Sequence, residues 1–206
     1  MILLKNILYI LFISLINILL INSCDIFTTR NPENPTKNNE SYLPPTSPSI
    51  VISNLTNSIK EKNPDYYSLC FTDDSKPDNM QEYRFYPTSD ALAKYSSIFD
   101  FWTVANEKSY FLSLISKTSS DIQPIFQLSN SKFEVLMPDS SLFVSDYYLK
   151  INHSILSLPK EFSGSLQFNI IRNSNGMWFV KRWVDNKLQE DTIKNSWSIL
   201  KAEFSN

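Results

Sequence analysis

The stretch Gly164–Asp185, GSLQFNIIRNSNGMWFVKRWVD, decides the fold. Its arms, GSLQFNIIR and MWFVKRWV, are rich in aromatic and β-branched residues. Asn173-Ser174-Asn175-Gly176 between them is a run of turn formers, so the pattern predicts an antiparallel hairpin. The chain holds only two glycines. Gly176 is best explained by a turn position that needs positive φ, while Gly164, inside a predicted strand, implies a bulge or a sharp bend. Trp178 and Val180 alternate onto one face, as core packing requires. Trp183 falls out of phase with them unless a bulge near Lys181 restores it.

Working outward, everything from Asp121 to Asp185 reads as antiparallel strand, with breaks at 138–141, 157–160 and 173–176. Upstream the periodicity becomes helical. Ser49 is placed to cap a helix with Ile52, Leu55 and Ile59 at helical spacing, ending near Asn63, and Asn63-Pro64 starts a short second helix through Tyr67 and Leu69. Glu82–Tyr86 is a brief strand stopped by Pro87, and Ser89–Tyr95 is a helical turn or two. Asp100 precedes the longest predicted helix, 101–116. Its apolar face holds Phe101, Val104, Ala105, Phe111, Leu112 and Ile115, with Asn106, Ser109, Ser113 and Ser116 opposite. Asn195–Phe204 closes the chain as a short helix with Trp197, Leu200 and Phe204 at helical spacing.

The amino terminus is of another kind. One positive charge, Lys5, precedes an apolar run from Asn6 to Ile21 broken only by Ser14 and Asn17, the layout of an export signal. A permanent transmembrane helix is the second choice, because the run is shorter than a spanning helix needs. Ile21-Asn22-Ser23-Cys24 then resembles the lipobox of bacterial lipoproteins, with Asn22 departing from the small or hydroxylated residue usual at its place. The resemblance implies that residues 1–23 are a lipoprotein signal peptide, and that the Cys24 thiol takes a thioether to diacylglycerol and becomes the first residue of the mature chain. Two or more acyl chains hold a protein to a membrane stably where one does so marginally. From Asp25 to Pro48 the chain is rich in Pro, Asn, Thr and Ser, too polar to pack, so residues 24–48 read as a disordered tether. The expected location is the bacterial cell envelope, with the domain facing the periplasm or the exterior.

Residues 49–206 are then a single α+β domain. Formal net charge is −2 for the whole chain and −3 once Lys5 is removed; with no basic patch, nucleic acid is not an expected partner. Cys70, in YYSLCF, reads as a small core hydrophobe, a disulfide to Cys24 being the alternative. No cysteine–histidine cluster suggests a metal and no glycine-rich phosphate loop suggests a nucleotide, so no metal or cofactor is expected.

Two helices, a strand, a long helix and then long antiparallel strands resemble the nuclear transport factor 2-like superfamily, which includes the SnoaL-like proteins. LTNSIKEKNPDYYSLCF is similar to its opening helix pair, and Gly176, Trp178, Val180, Trp183 and Asp185 to its closing G-x-W-x-[IV]-x-x-W-x-D run. The resemblance implies a cone: a curved antiparallel sheet packed against a long helix and the amino-terminal helix pair, with a pocket between helix and sheet. In enzymes of the superfamily an Asp or His in that pocket is the general base. Here the lone histidine, His153, reads as a surface or satisfied residue.

Asp146 is the better candidate base, because SLFVSDYYLKIN alternates and puts Leu142, Val144, Asp146 and Tyr148 on one face. The same alternation allows Phe143, Tyr147, Leu149 and Ile151 to face inward and leave Asp146 solvated, which is the preferred reading; Asp100 and Asp185 are the other carboxylates to place. Trp102, Tyr148 and Trp183 are the expected ligand-binding aromatics, with Tyr110 beside them. The reading favours a membrane-anchored, non-catalytic binding or assembly domain that takes a small apolar ligand or an envelope protein. A small-molecule enzyme using a carboxylate in the cone pocket is the alternative, and a module pairing with a partner through a sheet edge is a third.

Overall fold

The computed structural model describes residues 5–6, 42–73, 75, 81–188, 193 and 195–205. The chain divides into two compact units, Met1–Asn39 and Glu40–Asn206. In the first, only Lys5 and Asn6 are described, both exposed and helical. The remainder of the signal segment, the lipobox Ile21–Cys24 and tether residues 25–41 lie outside the described residues.

In the second unit the chain is fastened from Tyr42 onward. Tyr42 Oη donates to the Leu69 carbonyl at 3.1 Å, and Leu43 exchanges hydrogen bonds with the Asn54 amide at 2.9 and 2.7 Å. Trp178 N donates to the Pro45 carbonyl at 2.7 Å. Residues 42–48, read as tether from their prolines, are therefore pinned to the domain by backbone and amide bonds that composition does not reveal.

Helix α1 (Pro48–Lys60) is capped by Ser47, not Ser49: the Ser47 hydroxyl accepts from Ile50 N, and Pro48 takes the first turn, where its missing N–H costs nothing. Asn63 caps α2 (Pro64–Ser68) through Tyr66 N, as Asn63-Pro64 predicts. Strand β1 (Arg84–Tyr86) follows, then α3 (Ser89–Phe99), which runs one turn further than expected across a non-helical Tyr95. Helix α4 (Val104–Ser116) starts at Thr103, whose backbone N–H is received by the Asn106 side chain. At 13 residues α4 only equals α1.

The buried face of α4 differs from the expected one. Glu107, Tyr110, Phe111 and Leu114 point inward, whereas Phe101 is 81% exposed and Leu112 is 52% exposed. Starting the helix at Thr103 instead of Phe101 removes Phe101 from the stripe. The true stripe at i, i+3, i+4 and i+7 contains a carboxylate.

Strands β2 (Ile125–Leu136), β3 (Ser140–Lys150), β4 (Glu161–Arg172) and β5 (Trp178–Asn186) form an antiparallel run, and β1 adds to β5 in parallel, giving a five-stranded mixed sheet in the order β1-β5-β4-β3-β2. Helix α5 (Trp197–Glu203) ends the chain.

The hairpin forms as the turn residues require. Gly176 has φ of 82°, Gly176 N donates to the Asn173 carbonyl at 3.0 Å, and the Asn173 side chain accepts from Met177 N at 2.9 Å. The β4–β5 register shifts so that Lys181 lacks a partner: Asn169 pairs with Arg182 and Ile170 with Val180. That bulge brings Trp183 and Asp185 inward with Trp178 and Val180. Gly164, by contrast, sits in an unbroken register opposite Tyr147 and has no bulge. A Cβ there would lie 2.5 Å from the Asn186 carbonyl oxygen and 2.7 Å from Tyr147 Oη, so close approach explains the glycine.

The core joins the inner sheet face to the helices through stacked and edge-on aromatic rings. Phe85, Phe168 and Trp197 each meet Trp183 edge-on with centroids 5.4, 5.1 and 4.7 Å away. Pairs of this kind contribute roughly 0.5–1.5 kcal/mol each beyond area burial. Cys70 is buried and free of any disulfide, a small hydrophobe whose thiol is pushed up by burial.

Candidate functional site

The interior between α4 and the sheet is where polar chemistry converges. Glu107, on α4, is fully buried, and so is Lys201, on α5; the Lys201 ammonium pairs with Glu107 Oε1. The same oxygen accepts from Tyr83 Oη and Trp102 Nε1, each at 2.7 Å, and Oε2 accepts from Tyr67 Oη at 2.9 Å.

Tyr67 has one hydroxyl proton and gives it to Glu107, so its 2.8 Å contact with Tyr110 Oη has Tyr110 as donor. Tyr110 Oη in turn accepts from Trp197 Nε1 at 3.0 Å. A directed chain thus runs from Trp197 through Tyr110 and Tyr67 to the carboxylate, each bond polarising the next. Burial first, and then the nearby Glu107 charge, hold the Tyr67, Tyr83 and Tyr110 hydroxyls well above the usual range, so they remain donors.

The ammonium is enclosed by rings as well. Lys201 Nζ lies 3.6 Å from the Phe85 centroid, 3.7 Å from that of Trp183, 5.4 Å from Trp102 and 5.5 Å from Tyr110. Burial brings Lys201 down to about 8, against Glu107 and Asp185, which favour its charged form.

A second carboxylate lies alongside. Asp185 Oδ1 accepts from Tyr147 Oη at 2.8 Å, and Oδ2 accepts from Ser198 N at 2.7 Å and Ser198 Oγ at 2.5 Å. Tyr147 Oη also accepts from Trp197 N at 2.7 Å. Asp185 therefore fixes the first turn of α5, bonding Ser198 directly and Trp197 through Tyr147. Burial pushes it up to about 6, opposed by the bonds from Ser198 and Tyr147 and by Lys201.

The sequence-predicted residues do not come together in one place. Trp102 and Trp183 are 2% and 0% exposed and belong to the wall around Lys201, not to an open pocket. Tyr148 lies on the opposite face of β3, half-buried, next to Asp146 in a surface depression of about 520 Å³ that Gln127, Ser129 and Leu188 also line. Asp146 accepts from Asn130 Nδ2 at 2.7 Å, and Asn130, with φ of 52°, is in the β2 bulge. Phe143, Tyr147, Leu149 and Ile151 are buried, on the same face as the buried Ser141 and Ser145.

Asp100 is exposed at the end of α3. His153 is 2% exposed, donates from Nε2 to the Pro159 carbonyl at 2.8 Å and packs edge-on to Phe204. Among the described residues no group of His, Cys, Asp and Glu could hold a metal ion.

Glu107 and Lys201 are absent from the sequence-derived candidates. The signal was a charge on an apolar stripe: Glu107 precedes Tyr110, Phe111 and Leu114 by three, four and seven positions, and Lys201 lies four after Trp197 and three before Phe204.

No family model matches the sequence, and no curated protein matches it. Solved structures do. A candidate aromatic ring hydroxylase from Novosphingobium aromaticivorans is similar at a TM-score of 0.50 and 11% identity, over 68% of this chain and 86% of its own. A candidate scytalone dehydratase from the same species is similar at 0.50 and 10%, over 72% and 87%. A nuclear transport factor 2-like superfamily protein from Salmonella enterica is similar at 0.48 and 9%, over 70% and 92%. The chain shares the α+β fold of the two Novosphingobium structures, with helices packed against a mixed five-stranded sheet. At these identities the likeness is one of fold.

Proposed function

We propose that this protein is a lipid-anchored protein of the bacterial cell envelope whose nuclear transport factor 2-like domain works by binding or assembly, not by catalysis. The observation that carries the reading is the position of α5. Trp197 and Lys201 occupy the space between α4 and the sheet, where an enzyme of this shape would hold its substrate. The two carboxylates inside are engaged by the chain's own donors, Glu107 by Tyr67, Tyr83, Trp102 and Lys201, and Asp185 by Tyr147 and Ser198. Asp146, the carboxylate best placed by sequence to act as a base, sits outside and positions a bulge. The lipobox-like Ile21–Cys24 supports anchoring through lipid on Cys24, with the polar residues after it as a tether.

The test is made on the full chain expressed in bacteria. Cross-linking in intact envelopes, followed by detergent extraction, is expected to recover a discrete complex from wild type that Cys24→Ala loses by leaving the membrane. A substrate turned over by wild type and not by Asp146→Asn overturns the non-catalytic reading; loss of a catalytic base costs on the order of 100-fold or more.

A further inference from the structure

We propose that the interior of the cone is a binding site for a primary organic ammonium group, and that the chain occupies this site itself with Lys201. The inference goes beyond the binding reading, because the wild-type chain fills the site itself, and it does not depend on the lipid anchor.

The argument starts from the cost of the arrangement. A buried ion pair loses hydration that its mutual attraction only partly returns, and an apolar residue of similar volume often serves a core as well or better. Here an apolar pair at positions 107 and 201 would fill the same space. Instead the interior is built around a cation from two sides. On one side Glu107 presents a carboxylate held in place by Tyr67, Tyr83 and Trp102, so its orientation does not depend on the ammonium. On the other, Phe85 and Trp183 approach the ammonium ring-on at 3.6 and 3.7 Å, with Trp102 and Tyr110 behind them. Aromatic faces attract a cation most when it is desolvated, and this one is out of contact with solvent.

Trp183 Nε1 is fully buried and has no hydrogen-bond partner among the described residues, as expected if the ring is held for its face and not for its N–H. The direct bond from Nζ to Glu107 sets the class. An ammonium with N–H to give fits the carboxylate, whereas a quaternary one would fit the rings alone.

Lys201→Ala removes Cγ, Cδ, Cε and Nζ, so n-propylammonium is the matching fragment and propan-1-ol its neutral counterpart. The measurement is thermal unfolding of full-length Lys201→Ala against increasing probe. n-Propylammonium is expected to raise the melting temperature saturably, by about 3 °C or more. Propan-1-ol and tetramethylammonium should do so far less, and wild type, its site occupied, should show no saturable rise. Adding Glu107→Gln to Lys201→Ala should abolish the response.

If Lys201→Ala does not fold alone, its refolding yield with n-propylammonium against propan-1-ol is the readout, and a rise only with the ammonium supports the site. Equal effects of ammonium and alcohol, no effect of either, or a wild-type response equal to that of Lys201→Ala overturns the proposal. Turnover by wild type would sink the non-catalytic reading and leave this result untouched, since the probe reads binding alone.

Discussion

Glu107 on α4 and Lys201 on α5 stand 94 residues apart in the chain and pair where neither side chain meets solvent. The pair closes the last helix onto the domain, and its partners come from α2, the approach to β1 and the approach to α4. Breaking it from the two sides is not equivalent. Glu107→Leu strands the Lys201 ammonium and three donors, and should cost about 3–5 kcal/mol. Lys201→Met leaves a carboxylate still bonded by Tyr67, Tyr83 and Trp102, and should cost roughly 1–3 kcal/mol. Urea unfolding of the two variants measures the difference. Equal midpoints would show that the donors do not hold Glu107 as described.

The pH dependence of stability should carry the mark of Asp185. Its folded value is raised to about 6 from 3.8, so between those values the folded chain binds a proton that the unfolded chain has released. The stability it contributes is fully present below 3.8 and is lost as pH rises through 6. For a fully buried group this amounts to roughly 3 kcal/mol across the window. The free energy of unfolding of wild type minus that of Asp185→Asn, followed by urea titration at each pH, should fall by that order. A difference that stays flat would place the Asp185 carboxyl in a better-solvated setting.

Ile21-Asn22-Ser23-Cys24 predicts that the mature protein incorporates labelled fatty acid and partitions into detergent. Cys24→Ala should abolish the label and leave residues 1–23 attached. A variant that keeps its label, or a wild type that retains residues 1–23 after processing, removes the lipoprotein reading.

How much of this was legible in the sequence follows from the range of the interactions. The hairpin around Gly176 and the cap at Asn63 are set by neighbours a few residues away, and the local pattern shows them. The phase of Trp183 needs a bulge near Lys181, which the alternation of the strand points to and the β4–β5 register contains. The parallel partnership of β1 with β5 left no local trace, because three residues carry too little pattern. A helix counted from Phe101 has an exposed ring on its inner stripe, whereas the helix that starts after Thr103 has Glu107 there. Had the start been set at Thr103, Glu107 would have been a charge in the middle of an apolar face. Its partner Lys201 could still not have been named, since nothing in either helix says that they meet.

The two glycines separate two physical demands, and substitution distinguishes them. At Gly176 the demand is backbone: φ is 82°, and a new Cβ would meet only the end of the Arg172 side chain, Nη2 at 3.1 Å, which can swing away. Gly176→Val should therefore cost about 1 kcal/mol or more through strain at positive φ, with the alanine variant somewhat milder. At Gly164 the demand is space. Its Cβ would press on the Asn186 carbonyl oxygen at 2.5 Å and on Tyr147 Oη at 2.7 Å. The first is backbone in the closing strand, and the second is held by Asp185 and Trp197 N, so neither can yield cheaply. Gly164→Ala should cost about 3 kcal/mol, at the upper end for overpacking, and should loosen α5 by displacing Tyr147. Chemical denaturation ranks the variants, and hydrogen exchange at Trp197 and Ser198 reports on α5. A Gly164→Ala variant more stable than Gly176→Ala, with α5 still protected, would show that β4 and β5 can part at this point without disturbing the hydroxyl that ties Asp185 to the last helix.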